Sequence, residues 1–199
     1  MGIVDVKYDE WTRGLSPEQA KVRLFEKVRD IPYRIDLRLM SLEKGPEGIL
    51  DAGSGACNPK HYLLGALLER LGFEVRYCTF PFRWMDMGIS CPGIIRGLAK
   101  VIPVTYHHAL RVLTGGGWVL RDATWDPPLS KAGFPVNGEW DGRSDTRLAV
   151  EAIGEESYGD PSERENALMK AMDGYSLTDK LELSRFSLEF NKWLEEIRK

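Results

Sequence analysis

The chain has 199 residues, of which 43% are hydrophobic and 29% are charged, and this composition is ordinary for a compact protein with a sizeable core. Its formal net charge is -3, so the charge balance gives no reason to expect a nucleic acid or an anionic membrane as partner. Three cysteines, at positions 57, 78 and 91, form no CxxC pair and cannot all pair within one chain. This argues against a disulfide scaffold or a structural zinc site.

The first residues carry none of the usual targeting signals. The segment Met1–Val6 has an early acidic residue and lacks the basic start and long apolar core of a secretory signal, and valine at position 6 misses the myristoylation pattern. No stretch approaches the roughly 18 uninterrupted apolar residues that span a bilayer. We therefore expect a soluble, cytoplasmic protein with reduced thiols and with no membrane and no nucleic acid as partner.

The first predicted helix begins beside Ser16. Ser16 suits the N-cap, Pro17 the first helical position and Gln19 the third position of a capping box, and an apolar stripe follows. The segment 37–42 is predicted to be a short helix or turn under the core. A stretch rich in glycine and proline, 44–48, is predicted to be a loop that leads to the next helix.

The segment Gly53–Gly72 is the stretch around which the chain is organised. Glycines before Cys57 allow a sharp turn into a helix, Pro59 fits its first turn, and Gly72 fits the position just past its end. The free N–H groups and partial positive charge of a helix N-terminus favour the thiolate, which is the nucleophilic form of cysteine. Cys57 is therefore either a primed nucleophile or a small core residue, since free cysteines are often buried.

A strand and a less regular segment follow this helix. Residues 73–80 are rich in β-branched and aromatic side chains and predict a strand in which Cys78 packs. The segment 82–106 contains a predicted short helix at 94–101, and a connection of this length either covers a site or is an ordinary link. Cys91 has neither a helix start nor a local partner, so we assign it no catalytic role.

Two extended runs, 104–113 and 118–124, flank a group of glycines and form the clearest hairpin of the sequence, because glycine permits the positive φ angles of tight turns. The segment 148–153 is predicted to be a short strand or sheet edge. Helices are predicted over 166–172 and 178–198. The apolar stripe of the last helix indicates packing on the core rather than a partner-binding helix.

The hairpin carries an imidazole and a carboxylate that can serve a cysteine nucleophile. Such a nucleophile needs a base to take its proton, and the base needs a third group that holds its tautomer. Asp122 lies in an otherwise apolar run, where an acid needs a partner. A two-residue turn places Ala109 opposite Asp122 and His107 beside Asp122 on the same face, whereas a three-residue turn brings His108 there instead. We favour His107 as the base and keep His108 as the alternative.

These motifs resemble the transglutaminase-like superfamily. Cys57 at the start of an apolar helix, followed by Leu67–Tyr77, looks like the cysteine motif of that family. The segments His107–Val112 and Gly116–Asp126 look like its histidine and aspartate motifs, in the same order. The resemblance covers about residues 45–128.

The resemblance implies an α+β fold of the papain and transglutaminase type, in which the cysteine-bearing helix packs on an antiparallel sheet and further helices lie at both termini. The chain 1–199 would form one such domain, with 161–199 as a C-terminal helical extension. Cys57, His107 and Asp122 would act as a triad on an amide or peptide bond through a thioester, and water or an amine would resolve the acyl-enzyme. The substrate would be a peptide, a protein or a small amide.

Two features depart from the family pattern. Ala109 and Arg111 stand where the family commonly has an aromatic residue and an acid, and no side chain matches its oxyanion-hole group. The backbone N–H of Cys57 is the natural donor to an oxyanion, and the second donor stays unassigned. His61, four residues after Cys57, is expected to support the site rather than act as the base. No calcium is implied, because the calcium sites of the animal enzymes lie outside the region of resemblance.

Two other functions use the same residues. A non-catalytic member would bind a peptide or protein in the cleft, but it would not need cysteine, histidine and aspartate together. A metal site could use Cys57, His107, His108 and Asp122, but it would leave the thiol at a helix start without a purpose. We therefore expect an enzyme with no metal and no cofactor. The tryptophans at 84, 118 and 125 either shape its pocket or belong to the core.

Overall fold

The computed structural model describes residues 2–199 and shows an α+β protein. The helices are α1 (Ile3–Thr12), α2 (Pro17–Arg29), α3 (Gly45–Ala52), α4 (Cys57–Arg70), α5 (Gly93–Ala99), α6 (Pro161–Met172) and α7 (Leu177–Arg198). The strands are β1 (Val75–Phe82), β2 (Thr105–Thr114), β3 (Gly117–Arg121) and β4 (Glu156–Tyr158). No helix within residues 2–199 combines the length and the apolar character needed to traverse a bilayer.

The four strands form one antiparallel sheet in the order β3-β2-β1-β4. β1 and β2 pair from Val75 opposite Val112 to Phe82 opposite Thr105, and they form the centre of the sheet. β3 and β4 are the edges. The middle residues of the inner strands are buried because the sheet is covered on both faces, so these strands show no simple alternation of apolar and polar residues.

The register of the β2–β3 hairpin matches the two-residue turn that the sequence favours. Thr114 pairs with Gly117, which leaves Gly115 and Gly116 as the turn. The backbone φ of Gly117 is 116°, in the region that favours glycine. This register puts His107 rather than His108 on the face of the sheet that Asp122 approaches.

The second arm of the hairpin ends earlier than the sequence predicts. The expected run to Thr124 stops at Arg121, because the next backbone N–H groups bond to side chains instead of to β2. The Asp122 N–H donates to the Thr146 hydroxyl at 2.8 Å, and the Ala123 N–H donates to His61 Nε2 at 2.9 Å. The chain thus leaves the sheet at the position where the predicted site begins.

The helix α4 is the central helix of the protein. It packs against β2 on one side and against α2 and α3 on the other. Its apolar residues Leu63, Leu64 and Leu67 are fully buried, and so are its polar residues Lys60 and His61. The first nine residues of α4 are all buried, so the packing holds its first residue, the cysteine, in a fixed position relative to the sheet.

Two further local predictions are corrected by the structure. The predicted loop 44–48 lies largely in α3, because a proline in the first turn of a helix loses no hydrogen bond there. The segment 148–153 forms only an isolated bridge between Phe82 and Ala152. The sheet edge is instead β4, whose three residues are too few to show a pattern. The helix predicted from Ser16 has the capping box as expected.

The C-terminal helix α7 closes the structure over the end of the hairpin. Its last residue, Arg198, binds the buried carboxylate of Asp126 through two hydrogen bonds, of 2.8 Å from Nε and 2.7 Å from Nη2. The same guanidinium donates to the Tyr33 carbonyl at 2.9 Å. A paired arginine fork of this kind fixes orientation as well as position. The end of the chain is therefore joined to the segment that follows Asp122.

Candidate active site

Cys57 is the first residue of α4, as the sequence predicts. Gly53 has a φ of 63° and ends α3, and Ala56 is extended and offers no side-chain cap. Pro59 has no N–H, so the donors of the first turn are the backbone N–H groups of Cys57 and Asn58. The thiol is 7% exposed and lines a pocket. It therefore lies at the positive end of a helix dipole, within reach of a ligand.

His107 and Asp122 are joined by a hydrogen bond. The distance from His107 Nε2 to Asp122 Oδ2 is 2.7 Å, and the two residues are 2% and 1% exposed. The carboxylate also accepts the N–H of Ala149 at 2.7 Å and the N–H of Thr124 at 3.1 Å. Because Nε2 is bound to Asp122, Nδ1 is the ring nitrogen left to exchange a proton with a thiol.

The charges of the three groups depend on each other. Burial opposes the ionisation of Asp122, but His107 and other donors hold the pKa of its carboxyl well below the usual range. Burial alone would lower the pKa of His107, but Asp122 and Cys57 raise it to about 10. Burial alone would raise the pKa of Cys57, but the neighbouring His107 imidazole and its charge lower it. The arrangement favours a thiolate beside an imidazolium.

His108, the alternative base, points to the opposite face of the sheet. Its ring packs on Tyr62 with 4.7 Å between centroids, and neither ring nitrogen has a hydrogen-bond partner among residues 2–199. Burial, together with the nearby Arg164 charge, lowers its pKa well below the ordinary value. Its backbone, not its ring, contributes to the lowered pKa of Cys57. The structure does not bring this imidazole to Asp122.

His61 joins α4 to the end of the hairpin. Its Nδ1 donates to the Cys57 carbonyl at 2.9 Å, and its Nε2 accepts the Ala123 N–H at 2.9 Å. Nε2 also lies 3.7 Å from Asp122 Oδ1, but this nitrogen already acts as an acceptor, and burial lowers the pKa of His61 to about 3. His61 is therefore a neutral connector between the cysteine and aspartate segments.

Arg164 and Asn58 are close to the site, and the sequence analysis missed both. Arg164, on α6, is fully buried and donates to the Asn58 side-chain oxygen at 3.1 Å and to the Tyr62 hydroxyl at 2.8 Å. Its partners are neutral, so it carries a positive charge into the interior near Cys57. The only sequence signal for Asn58 was its position next to the cysteine, and Arg164 lies in an ordinary charged helix with no local signal.

The sulfur of Cys57 opens into a pocket of about 130 Å³. The walls are mainly apolar and come from the N-terminal segment, the sheet region and the C-terminal helices: Tyr33, Ile35, Met40, Phe82, Trp84, Trp125, Val150, Leu168, Met172, Leu183 and Phe186. Trp84 and Trp125 thus border the pocket, whereas Trp118 stacks under Arg76 on the sheet. Within residues 2–199, no three His, Cys, Asp or Glu side chains are arranged to hold one metal ion.

No protein-family description matches the chain, and no curated protein matches it. Among solved structures, the chain is similar to one described as "a Putative Cysteine Protease from Cytophaga hutchinsonii", with 16% identity and a TM-score of 0.42, over 78% of this chain and 47% of that chain. The chain therefore spans about half the length of that protein. A TM-score this low identifies neither a fold family nor an activity, so the functional conclusion rests on the geometry of the site.

Proposed function

We propose that the protein is a cysteine enzyme of the transglutaminase-like type, which acts on an amide or peptide bond through a thioester acyl-enzyme. Cys57 is the nucleophile, His107 is the general base and acid, and Asp122 orients His107. The acyl group then passes to water or to an amine. The domain would comprise the chain 1–199, with α6 and α7 as its C-terminal extension.

The observation that carries this proposal is that Cys57 and His107, which is hydrogen-bonded to Asp122, line the same pocket. A buried carboxylate binds the Nε2 atom of His107 at 2.7 Å, and the thiol at the start of α4 has a pKa lowered by the same imidazole. A core cysteine would need neither a charged histidine nor a helix N-terminus. This combination is what nucleophilic catalysis by a thiol requires.

The proposed reaction has two steps. The Cys57 thiolate attacks the carbonyl carbon, a C–S bond forms, and the C–N bond breaks as the imidazolium of His107 gives its proton to the leaving amine. Water or an amine then attacks the thioester while His107 takes its proton, and the thiolate leaves. The backbone N–H of Cys57 is the natural donor to the oxyanion in both steps.

The test is to incubate the full chain with a peptide library and to measure released ammonia, new amino termini and mass adducts on Cys57. The proposal predicts product formation with the wild type and a thioester adduct on Cys57. Cys57→Ser should be inactive, whereas Cys78→Ser, which removes a buried thiol of β1, should retain activity. Peptide binding without any product or adduct would contradict the enzyme and favour a binding domain.

A further inference from the structure

Apart from Cys57 and His107, no residue that lines the pocket carries a formal charge. None of the residues that line it is Asp, Glu, Lys or Arg. Among the lining residues, the groups that can carry a charge beside the nucleophile are Cys57 and His107, which compensate each other in the thiolate–imidazolium form. A substrate that placed a charge among these walls would lose hydration without gaining an oppositely charged side chain as partner.

Part of the apolar wall of the pocket comes from α6 and α7. Leu168 and Met172 come from α6, and Leu183 and Phe186 come from α7. Trp84 packs against Phe186 with 4.8 Å between ring centroids, so the aromatic wall continues from the sheet region onto the helix. The C-terminal helices therefore give the nucleophile an apolar cavity beside it rather than an open polar groove.

We propose that this pocket binds the acyl part of the substrate, and that this acyl group is uncharged and apolar, as in an aliphatic or aryl acyl derivative. This inference rests on the proposed function, because it assigns the acyl group that Cys57 would receive. Burial of each methylene in such a pocket lowers the free energy of the transition state for acylation. The pocket thus determines which acyl groups react fastest with Cys57, whereas the leaving group lies outside the pocket.

An ester probe can acylate Cys57 by the same two steps as an amide. The thiolate forms a C–S bond to the carbonyl carbon, and the C–O bond to the leaving alcohol or phenol breaks. His107 gives its proton to the leaving oxygen, or to solvent when that oxygen leaves as the anion, so the imidazole is neutral for the next step. Water then adds to the thioester, His107 takes one of its protons, and the carboxylic acid and the thiolate are released. No oxidant or metal is required.

The experiment compares three 4-nitrophenyl esters, the acetate, the hexanoate and the adipate monoester, whose acyl chain is similar in length to hexanoate but ends in a carboxylate. The rate of the Cys57 mass adduct is divided by the rate of each ester with a free small thiol, which removes intrinsic reactivity. We expect hexanoate to acylate Cys57 about tenfold or more faster than acetate or adipate. Equal normalised rates, or a preference for adipate, would overturn this inference and leave the proposed function intact.

Two methionines of α6 give a matched pair of variants. Met172 lines the pocket and is 40% exposed, and Met169 is 53% exposed and lies outside the pocket. Met172→Asp should reduce the preference for hexanoate over acetate, and Met169→Asp should preserve it. If both variants keep the preference, the pocket does not bind the acyl group. If no ester acylates Cys57 and Cys57→Ser behaves like the wild type, both the proposed function and this inference fail.

Discussion

Asp122 holds His107 in one orientation because its carboxylate accepts hydrogen bonds from three separate segments. The donors are His107 on β2, Thr124 two residues further along the chain, and Ala149 in the segment beyond the hairpin. With the carboxylate fixed in this way, the imidazole cannot turn its Nδ1 atom away from Cys57 without breaking a buried, charge-assisted bond. The reactivity of the thiol therefore depends on one buried charge.

Replacing Asp122 by asparagine tests this dependence. The variant keeps the shape of the side chain but removes the charge that raises the pKa of His107 to about 10. The imidazolium is then lost at lower pH, and turnover should fall about a hundredfold or more. The measurement is the rate of acyl-enzyme formation across a pH series.

The control for this variant is Asp145→Asn. Asp145 is an exposed acid that accepts the Leu120 N–H at 2.6 Å beside β3. Like Asp122, it accepts a hydrogen bond from a backbone N–H, but it makes no contact with His107. Equal losses of the acyl-enzyme formation rate in the two variants would show that Asp122 supports the local backbone structure rather than the charge of His107.

That His107 rather than His108 shares a face with Asp122 could be predicted from the sequence, because two glycines set the turn and the turn sets the register of the hairpin. Arg164 could not be predicted in the same way. It lies more than one hundred residues from Asn58, and no local pattern in α6 distinguishes it from the exposed charges beside it. A long-range contact made by one side chain has no periodicity to detect.

The helix α6 is connected to the start of α4, beside Cys57, through one buried guanidinium. Arg164 bonds to the Asn58 side chain and to Tyr62 on α4, and its charge contributes to the lowered pKa of Cys57 and of His108. A buried arginine with neutral partners is unfavourable for stability. We interpret it as a residue that positions α6 over the start of α4.

Replacing Arg164 separates its charge from its shape. Arg164→Met should shift the pH profile of Cys57 alkylation to higher pH, because the thiolate loses a nearby positive charge. Arg164→Lys should keep the profile closer to that of the wild type. A merely structural role would lower the melting temperature of both variants and leave the profile of the surviving folded protein unchanged.

Elements with a strong local signal were predicted correctly, and those without one were missed. The helix from Ser16 has its capping box, and the hairpin has its glycines. The helix α3 was predicted to be a loop because its first turn contains glycine and proline, and β4 depends wholly on pairing with β1. The early end of β3 was also unpredictable, since it depends on bonds to His61 and Thr146.

Lys60 connects distant parts of the molecule beside the site. Its buried ammonium group donates hydrogen bonds of 2.8 Å to the carbonyls of Arg29, Ile31 and Thr124. These three carbonyls belong to the end of α2, to the segment after it and to the chain that follows Asp122. One side chain of α4 therefore joins the N-terminal part of the protein to the hairpin.

Lys60 predicts a pH dependence of stability. Burial lowers its pKa from an ordinary value of 10.5 to about 7, so between these pH values the unfolded chain binds more protons than the folded one. The contribution of Lys60 to the free energy of unfolding should therefore rise with pH, by about 2 kcal/mol between about pH 7 and pH 9. Urea unfolding of the wild type and of Lys60→Met at both pH values measures it. If the difference between the two proteins does not change with pH, the prediction is wrong.

The central claim is that Cys57 is a thiolate activated by His107, and the pH dependence of its alkylation by iodoacetamide tests this most directly. Mass spectrometry follows all three cysteines in one sample, so Cys78 and Cys91 serve as internal references. We predict rapid labelling of Cys57 at about pH 6 in the wild type and much slower labelling in His107→Ala, since the pKa of the thiol then rises. Equal, slow labelling of the three cysteines in the wild type would contradict the claim.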